Sequence, residues 1–299
     1  MNEQLPYSFN PYCKGLDGQV LRWAWDEGLF EDPAELERCR TQQINSFSGF
    51  LYPEFEEQKL ELVMKFFLTL FLLDDLMDID FSDEKLNFLE KLATEDHVFF
   101  PKRDRLSRLG NQVVTLYAQV GREIITPSSQ YEWQLIWDLY TSGMHWEFKN
   151  KVTGKIPDLG IYRTLRPFTS GVRLAILISR SDSFDDSCRS VVLENRIARF
   201  ISLSNDLDSY RKEMEVEDYH NEVLLLQLTT EKDVVPKIRE ELQSLYQRIL
   251  IITQRLIEDS EACMPWVNSL LNLVAGCVAW SRKTYRYQAN INGKSGFNH

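Results

Sequence analysis

Phe66-Phe67-Leu68-Thr69-Leu70-Phe71-Leu72-Leu73-Asp74-Asp75-Leu76-Met77-Asp78 is the stretch on which the reading of this chain turns. Burial of a core helix accounts for residues 66–73. It does not account for three carboxylates set directly behind them. On a helix, Phe67, Phe71, Asp74 and Asp78 are separated by steps of four, three and four, so they share one face. That face carries aromatic rings at one depth and acids at its rim. Clustered carboxylates raise one another's pKa unless a cation joins them. Such hard oxygen ligands suit Mg²⁺, which takes one or two carboxylates and completes its shell with waters and substrate phosphates. The plainer use of these acids is to cap or solvate a helix end.

A second polar cluster lies far along the chain, Ser204-Asn205-Asp206-Leu207-Asp208-Ser209-Tyr210-Arg211-Lys212-Glu213. Asn205, Ser209 and Glu213 follow at i, i+4 and i+8, which lines up an amide, a hydroxyl and a carboxylate on one helical face. Asn and Ser are mildly unfavourable inside a helix, so an ordinary solvated face is a poor explanation. Three oxygen donors in a row make a second candidate Mg²⁺ site, with Lys212 adjacent for phosphate oxygens.

Between and around these clusters the apolar pattern is helical. Leu193, Ile197, Phe200 and Ile201, and then Leu242, Leu245, Ile249, Ile252 and Leu256, recur at helix-like intervals. Strictly alternating strands and hairpin turns between them are not found, and Asn292-Gly293 falls in a polar tail. Pro53, Pro101, residues 126–129, residues 154–160 and Pro265 read as breaks. The expectation is an all-α chain of about ten helices forming one domain, 1–299, around a central cavity, as helical bundles build sites from facing side chains. Residues 1–20, with two prolines and two glycines, read as an irregular lead-in, and residues 289–299 as a mobile tail.

Composition excludes several functions. The net charge of −11 argues against a nucleic-acid groove, which needs a basic face. In an acidic protein an anionic diphosphate would need metal ions as mediators. Five scattered cysteines, Cys13, Cys39, Cys188, Cys263 and Cys277, contain no CxxC pair and are expected as reduced, buried thiols in the cytoplasm. The N-terminus lacks signal-peptide character. Residues 66–73 are too short to span a bilayer, so a soluble protein with no membrane span is expected. His97, His145, His220 and His299 compose neither a metal set nor a triad. Paired Glu-x-x-His motifs, which a four-helix di-metal oxidase requires, are missing.

Asp74-Asp75-Leu76-Met77-Asp78 together with Asn205 to Glu213 resembles the aspartate-rich motif and NSE triad of class I terpene synthases, the bacterial and fungal type in particular. Tyr162-x-x-x-Arg166-x-x-Thr169-Ser170-Gly171 resembles that family's diphosphate sensor, and Trp280-x-x-x-Thr284-x-Arg286-Tyr287 resembles its C-terminal signature. Four motifs in the expected order cover residues 50–288. The resemblance implies a cyclase that ionises a prenyl diphosphate with three Mg²⁺ ions. It places Asp74, Asp78, Asn205, Ser209 and Glu213 as metal ligands, and Asp75 as a partner of Arg286. It places Arg166, Lys212, Arg286 and Tyr287 on the diphosphate, with Thr169 as linker and Ser170 as effector beside the helix break at Gly171. Homodimers are common in the family.

A carbocation needs a dry cavity with π faces. Phe67, Phe71, Trp146, Phe148 and Trp280 are candidates. In a chain with 17 Phe, 12 Tyr and 7 Trp only Phe71 and Trp280 are distinguished, because they flank motifs. A chain-elongating prenyltransferase would carry a second aspartate-rich motif where this chain has Asn205, Ser209 and Glu213, and squalene or phytoene synthases would need paired DxxED-like motifs. A helical protein with no catalytic role would not need four intact motifs. The chain's length is typical of sesquiterpene cyclases, so farnesyl (C15) diphosphate is favoured over geranylgeranyl (C20) diphosphate.

Overall fold

The computed structural model describes residues 5–95, 98–180, 184–230 and 233–287. Among the described residues thirteen α-helices follow in order: α1 (Cys13–Asp26), α2 (Pro33–Thr41), α3 (Phe47–Leu51), α4 (Glu57–Met77), α5 (Asp83–Thr94), α6 (Arg105–Glu123), α7 (Gln130–Thr153), α8 (Leu159–Thr169), α9 (Val172–Ile178), α10 (Val191–Glu215), α11 (Glu222–Thr230), α12 (Val235–Asp259) and α13 (Met264–Lys283). Three short 3₁₀ turns precede α7, α10 and α13, and there is no strand among the described residues. The all-α expectation holds, and the tail from 289 to 299, His97 and His299 lie outside the described residues.

α4 is buried on nearly every side, from Leu60 through Leu73, and packs on α1, α3 and α6. An apolar helix of this kind can end in acids only where the bundle opens, which places Asp74, Asp75 and Asp78 at one end of the molecule. α10 and α7 run alongside the same space. Their starts are tied together at the far end by Arg180, 1% exposed, which pairs with Glu132 Oε2 at 2.7 Å and Glu194 Oε1 at 2.5 Å. Side-chain caps begin several helices, as Asp158 accepting from Ile161 N and Ser190 from Leu193 N do for α8 and α10.

Two readings need correction. The irregular lead-in ends at Cys13, because Cys13, Leu16, Val20, Leu21 and Ala24 form a buried stripe while Gly15 and Gly18 lie on the solvent side. Burial of that stripe outweighs the poor helix propensity of two exposed glycines. Cys188 and Cys263 are not thiols but a disulfide, with Cα atoms 5.1 Å apart. Each sits in one of the 3₁₀ turns, and nothing in a separation of 75 residues announces that approach. Cys13, Cys39 and Cys277 are free. Among the described residues one segment, 261–283, is long and apolar enough to cross a membrane, and 56% of its most apolar window is buried inside the fold, as in a core helix.

Candidate active site

The end of α4 and the middle of α10 face each other across the open end of the bundle, and the basic residues of the other two motifs lie between them. Thr284 Oγ1 donates to Gln42 O at 2.6 Å and Trp280 Nε1 to Gln43 O at 2.9 Å. These bonds turn the chain after α13 towards the opening. Arg286 Nη2 then meets Asp75 Oδ1 at 2.7 Å and Asp74 Oδ2 at 3.6 Å, while Tyr287 accepts from Asn205 Nδ2 at 2.8 Å. Consecutive residues therefore reach both motifs.

Arg166, in the last turn of α8, donates to Asn205 Oδ1 at 2.7 Å and to Asp206 Oδ1 at 2.8 Å. Asp206 is fully buried and also accepts from Tyr162 OH at 2.9 Å and from Glu222 N at 3.0 Å. Burial pushes the Asp206 carboxyl up, against the Arg166 charge and these hydrogen bonds. Ser170 closes α8, its Oγ 3.2 Å from Ser202 Oγ. Gly171 has φ of +72° and open space where a Cβ would stand, so its requirement is one of backbone conformation rather than room. The helix break expected here is present between α8 and α9. Thr169 touches α7 at Gly143.

In the second motif, Ser209 Oγ donates to Asn205 O at 2.9 Å. Asn221 Nδ2 reaches Glu213 Oε2 at 2.6 Å and Ser209 Oγ at 3.4 Å, which gathers two of the three oxygen donors. Desolvation pushes Glu213 up to about 7, with Arg166 opposing and Asp206 and Asp218 adding to the rise. Asp74 is likewise pushed up to about 7, first by desolvation and next by the Asp78 charge, against Arg286. Its side chain is 59% exposed, so solvent screens part of the effect of these neighbouring charges. Lys212 acts on Asp75 through its charge.

α7 supplies residues that spacing alone did not reveal. Lys151 bridges Asp78 Oδ1 and Asp218 Oδ2, each at 2.7 Å, and one turn earlier Glu147 places a buried carboxylate whose charge acts on Arg166. With Tyr162 donating also to His220 O at 2.9 Å, the contacts run from Asp75 through Arg286, Tyr287, Asn205, Arg166, Asp206, Tyr162, His220, Asp218 and Lys151 to Asp78. This chain of contacts goes around the opening. Below it, Phe47, Phe67, Phe71 and Trp280 form one aromatic group, with ring centroids 4.8–5.7 Å apart in the contacting pairs. Phe47 and Phe71 are its partly exposed members, and Phe71 lies under Arg286, whose guanidinium carbon is 5.3 Å from the ring centroid. Trp146 and Phe148 instead pack edge-on against His220 and Phe81.

The candidate ligand atoms of both motifs are hard oxygens, which fit a divalent cation of the Mg²⁺ kind. Among the described residues no three His, Cys, Asp or Glu side chains converge closely enough to hold a metal by themselves. Oxygens from outside the chain would have to complete the shell. A family model, terpene synthase family 2, C-terminal metal binding, matches residues 65–248, well over half of the chain and both motifs.

The chain belongs to this terpene synthase family. A terpene synthase is a lyase that acts on a prenyl diphosphate, and the matched domain is a metal-binding one. Among curated relatives, (E)-2-epi-beta-caryophyllene synthase of Selaginella moellendorffii is 22% identical over 95% of this chain and 83% of its own length. The 4-epi-cubebol synthase of Streptosporangium roseum, described as (2E,6E)-farnesyl diphosphate cyclizing, is 22% identical over 94% of this chain and 89% of its own. Among solved structures, wild-type cucumene synthase superposes with a TM-score of 0.76 at 19% identity, covering 95% of this terpene synthase and 100% of that chain. A linalool/nerolidol synthase from Streptomyces clavuligerus in complex with 2-fluorogeranyl diphosphate gives 0.78 at 16%, covering 92% and 100%. At these identities the superpositions establish the shared fold.

Proposed function

We propose that this terpene synthase is a sesquiterpene cyclase that ionises farnesyl diphosphate with three Mg²⁺ ions and closes the cation into a ring. The observation that carries this reading is the run of contacts from Asp75 to Asp78 that joins both oxygen-donor segments to Arg166, Arg286 and Tyr287. Asp74 and Asp78 on one side, and Asn205, Ser209 and Glu213 on the other, would hold the ions. When bound, the ions supply Lewis-acid stabilisation of the diphosphate as it leaves.

The work of the chain's own groups follows from where charge develops. The C1–O bond breaks heterolytically, and its electron pair departs on the diphosphate. Arg166, Lys212, Arg286 and Tyr287 are positioned donors for that growing anion, so their hydrogen bonds strengthen in the transition state. Arg166 must first exchange Asn205 Oδ1 and Asp206 for phosphate oxygens, and Thr169, Ser170 and Gly171 carry that movement to the cavity wall. Phe71, with Trp280 packed behind it, offers a π face to the cation and keeps water away. The relative named as farnesyl diphosphate cyclizing supports the C15 substrate.

Purified protein is incubated with Mg²⁺ and, separately, with C10, C15 and C20 prenyl diphosphates, and extracts are analysed by gas chromatography–mass spectrometry. A cyclic C15 hydrocarbon or alcohol is expected. A cyclic C20 product alone makes the enzyme a diterpene cyclase. Longer diphosphates formed only with added isopentenyl diphosphate make it an elongating prenyltransferase.

A further inference from the structure

Lys151 occupies a place that the motifs do not explain. It stands in the last turn of α7, its side chain only 17% exposed, with Nζ 2.7 Å from Asp78 Oδ1 and 2.7 Å from Asp218 Oδ2. One carboxylate belongs to the first motif. The other sits in the loop that follows α10. Asp218 is fixed on its own side, since Oδ1 accepts from His220 Nδ1 at 2.8 Å and from His220 N at 3.0 Å. Its neighbour Asn221 holds Glu213. Asp78 is the freer partner, 44% exposed against 18% for Asp218.

We infer that Lys151 is a positioning residue that acts as the internal counter-cation of the resting site, holding Asp78 to Asp218 so that divalent metal loads together with diphosphate rather than before it. This rests on the reading of Asp74, Asp78 and the Asn205–Ser209–Glu213 set as metal ligands. Asp74, Asp78, Asp218 and Glu213 together form a like-charged group that would draw in a bare divalent ion. One ammonium already paired with two of them lowers that attraction and occupies Asp78 Oδ1. A diphosphate arriving with the metal reverses the balance, because its negative charge makes the same ammonium favourable.

The test is Mn²⁺ binding to the full chain, followed by electron paramagnetic resonance with and without inorganic diphosphate, for wild type, Lys151→Met and Lys151→Arg. Without diphosphate, Lys151→Met binds Mn²⁺ about tenfold tighter than wild type, as removal of one nearby unit charge implies. Lys151→Arg behaves as wild type, and the gain in affinity on adding diphosphate shrinks in Lys151→Met. Lys151→Gln replaces the methionine variant if the latter does not fold, with the same expectation. Equal Mn²⁺ affinity in wild type and the neutral variant without diphosphate, at equal helical circular dichroism, overturns the proposal. Absence of Mn²⁺ binding to wild type even with diphosphate would instead remove the metal-site reading, and the role of Lys151 with it.

Discussion

Arg286 and Asp75 form a two-bond ion pair, Nη2 to Oδ1 at 2.7 Å and Nη1 to Oδ2 at 3.2 Å, that draws the segment after α13 down onto the end of α4. The guanidinium is 7% exposed and Asp75 16%. Burial alone would raise Asp75, but Arg286 beside it holds the carboxyl below the usual range. Asp75→Asn leaves the arginine without this countercharge, which for a buried pair costs about 3 kcal/mol or more. The expected outcome is a clear fall in thermal midpoint and roughly hundredfold slower diphosphate release, because Arg286 is no longer aimed. Wild-type stability in Asp75→Asn would show that the pair is dispensable to the fold.

Asn205→Ala and Glu213→Gln bear on the second ligand set. Both should lower turnover of farnesyl diphosphate by at least about a hundredfold, as loss of transition-state electrostatics does elsewhere. Far-ultraviolet circular dichroism should be unchanged, since both residues face the opening. Near-normal cyclisation by either variant would mean that this set does not hold metal.

A Cβ at Gly143 would lie 2.4 Å from Thr169 Cγ2, so α7 and α8 meet there with no room to spare. Gly143→Ala should cost about 1–3 kcal/mol through overpacking. It should also reduce turnover, because Thr169 is three residues from Arg166. Thr169→Ser removes the clashing methyl. The double variant is therefore expected to regain stability relative to Gly143→Ala, a coupling that additive effects would not give. Thermal melts of the two single variants and the double variant settle it.

The residues legible in the sequence were those whose spacing matches a helix and whose chemistry is out of place there. Asp74 and Asp78 follow an apolar run that burial explains, and Asn205, Ser209 and Glu213 repeat every four residues. Asp206 has no role legible in the sequence because it points away from that face, into α8, where only the fold supplies Tyr162 and Arg166 as partners. Lys151 and Asp218 carry no signal at all: with Lys149 two residues before it, Lys151 looks like one more solvated charge on a polar helix end until two distant carboxylates arrive. Phe47 was missed for the same reason, lying in a five-residue helix too short to show periodicity. The disulfide was illegible because pairing depends on where two 3₁₀ turns come to rest. Helix α1 was hidden by glycines whose exposed positions only burial of the opposite stripe reveals.

The Cys188–Cys263 bridge predicts a thiol count. Oxidised protein in denaturant should titrate three thiols, and the same protein after reduction five. The bridge spans 75 residues, and in the chain-entropy picture closing such a loop stabilises the fold by about 4 kcal/mol. Reduction should therefore lower the denaturant midpoint. Five thiols before reduction would mean that the two cysteines lie side by side unbonded.

Asp218 predicts a dependence on pH. Burial would raise its carboxyl, but the hydrogen bond from His220 and the Lys151 charge outweigh this and hold it well below the ordinary carboxylate range. The folded chain thus prefers the ionised form more than the unfolded chain does. Its contribution is complete above about pH 5 and is lost as pH falls through the unfolded value near 3.9 towards the lower folded one. Asp218→Asn keeps an acceptor for His220 but not the charge that holds Lys151. Wild type should be more stable than Asp218→Asn by about 1–2 kcal/mol at pH 7, and the gap should narrow steadily below about pH 4 as the wild-type carboxylate takes up its proton. Denaturant unfolding of both proteins at pH 7, 5 and 3 measures the gap. A constant difference across that range would place the stabilising charge elsewhere than on Asp218.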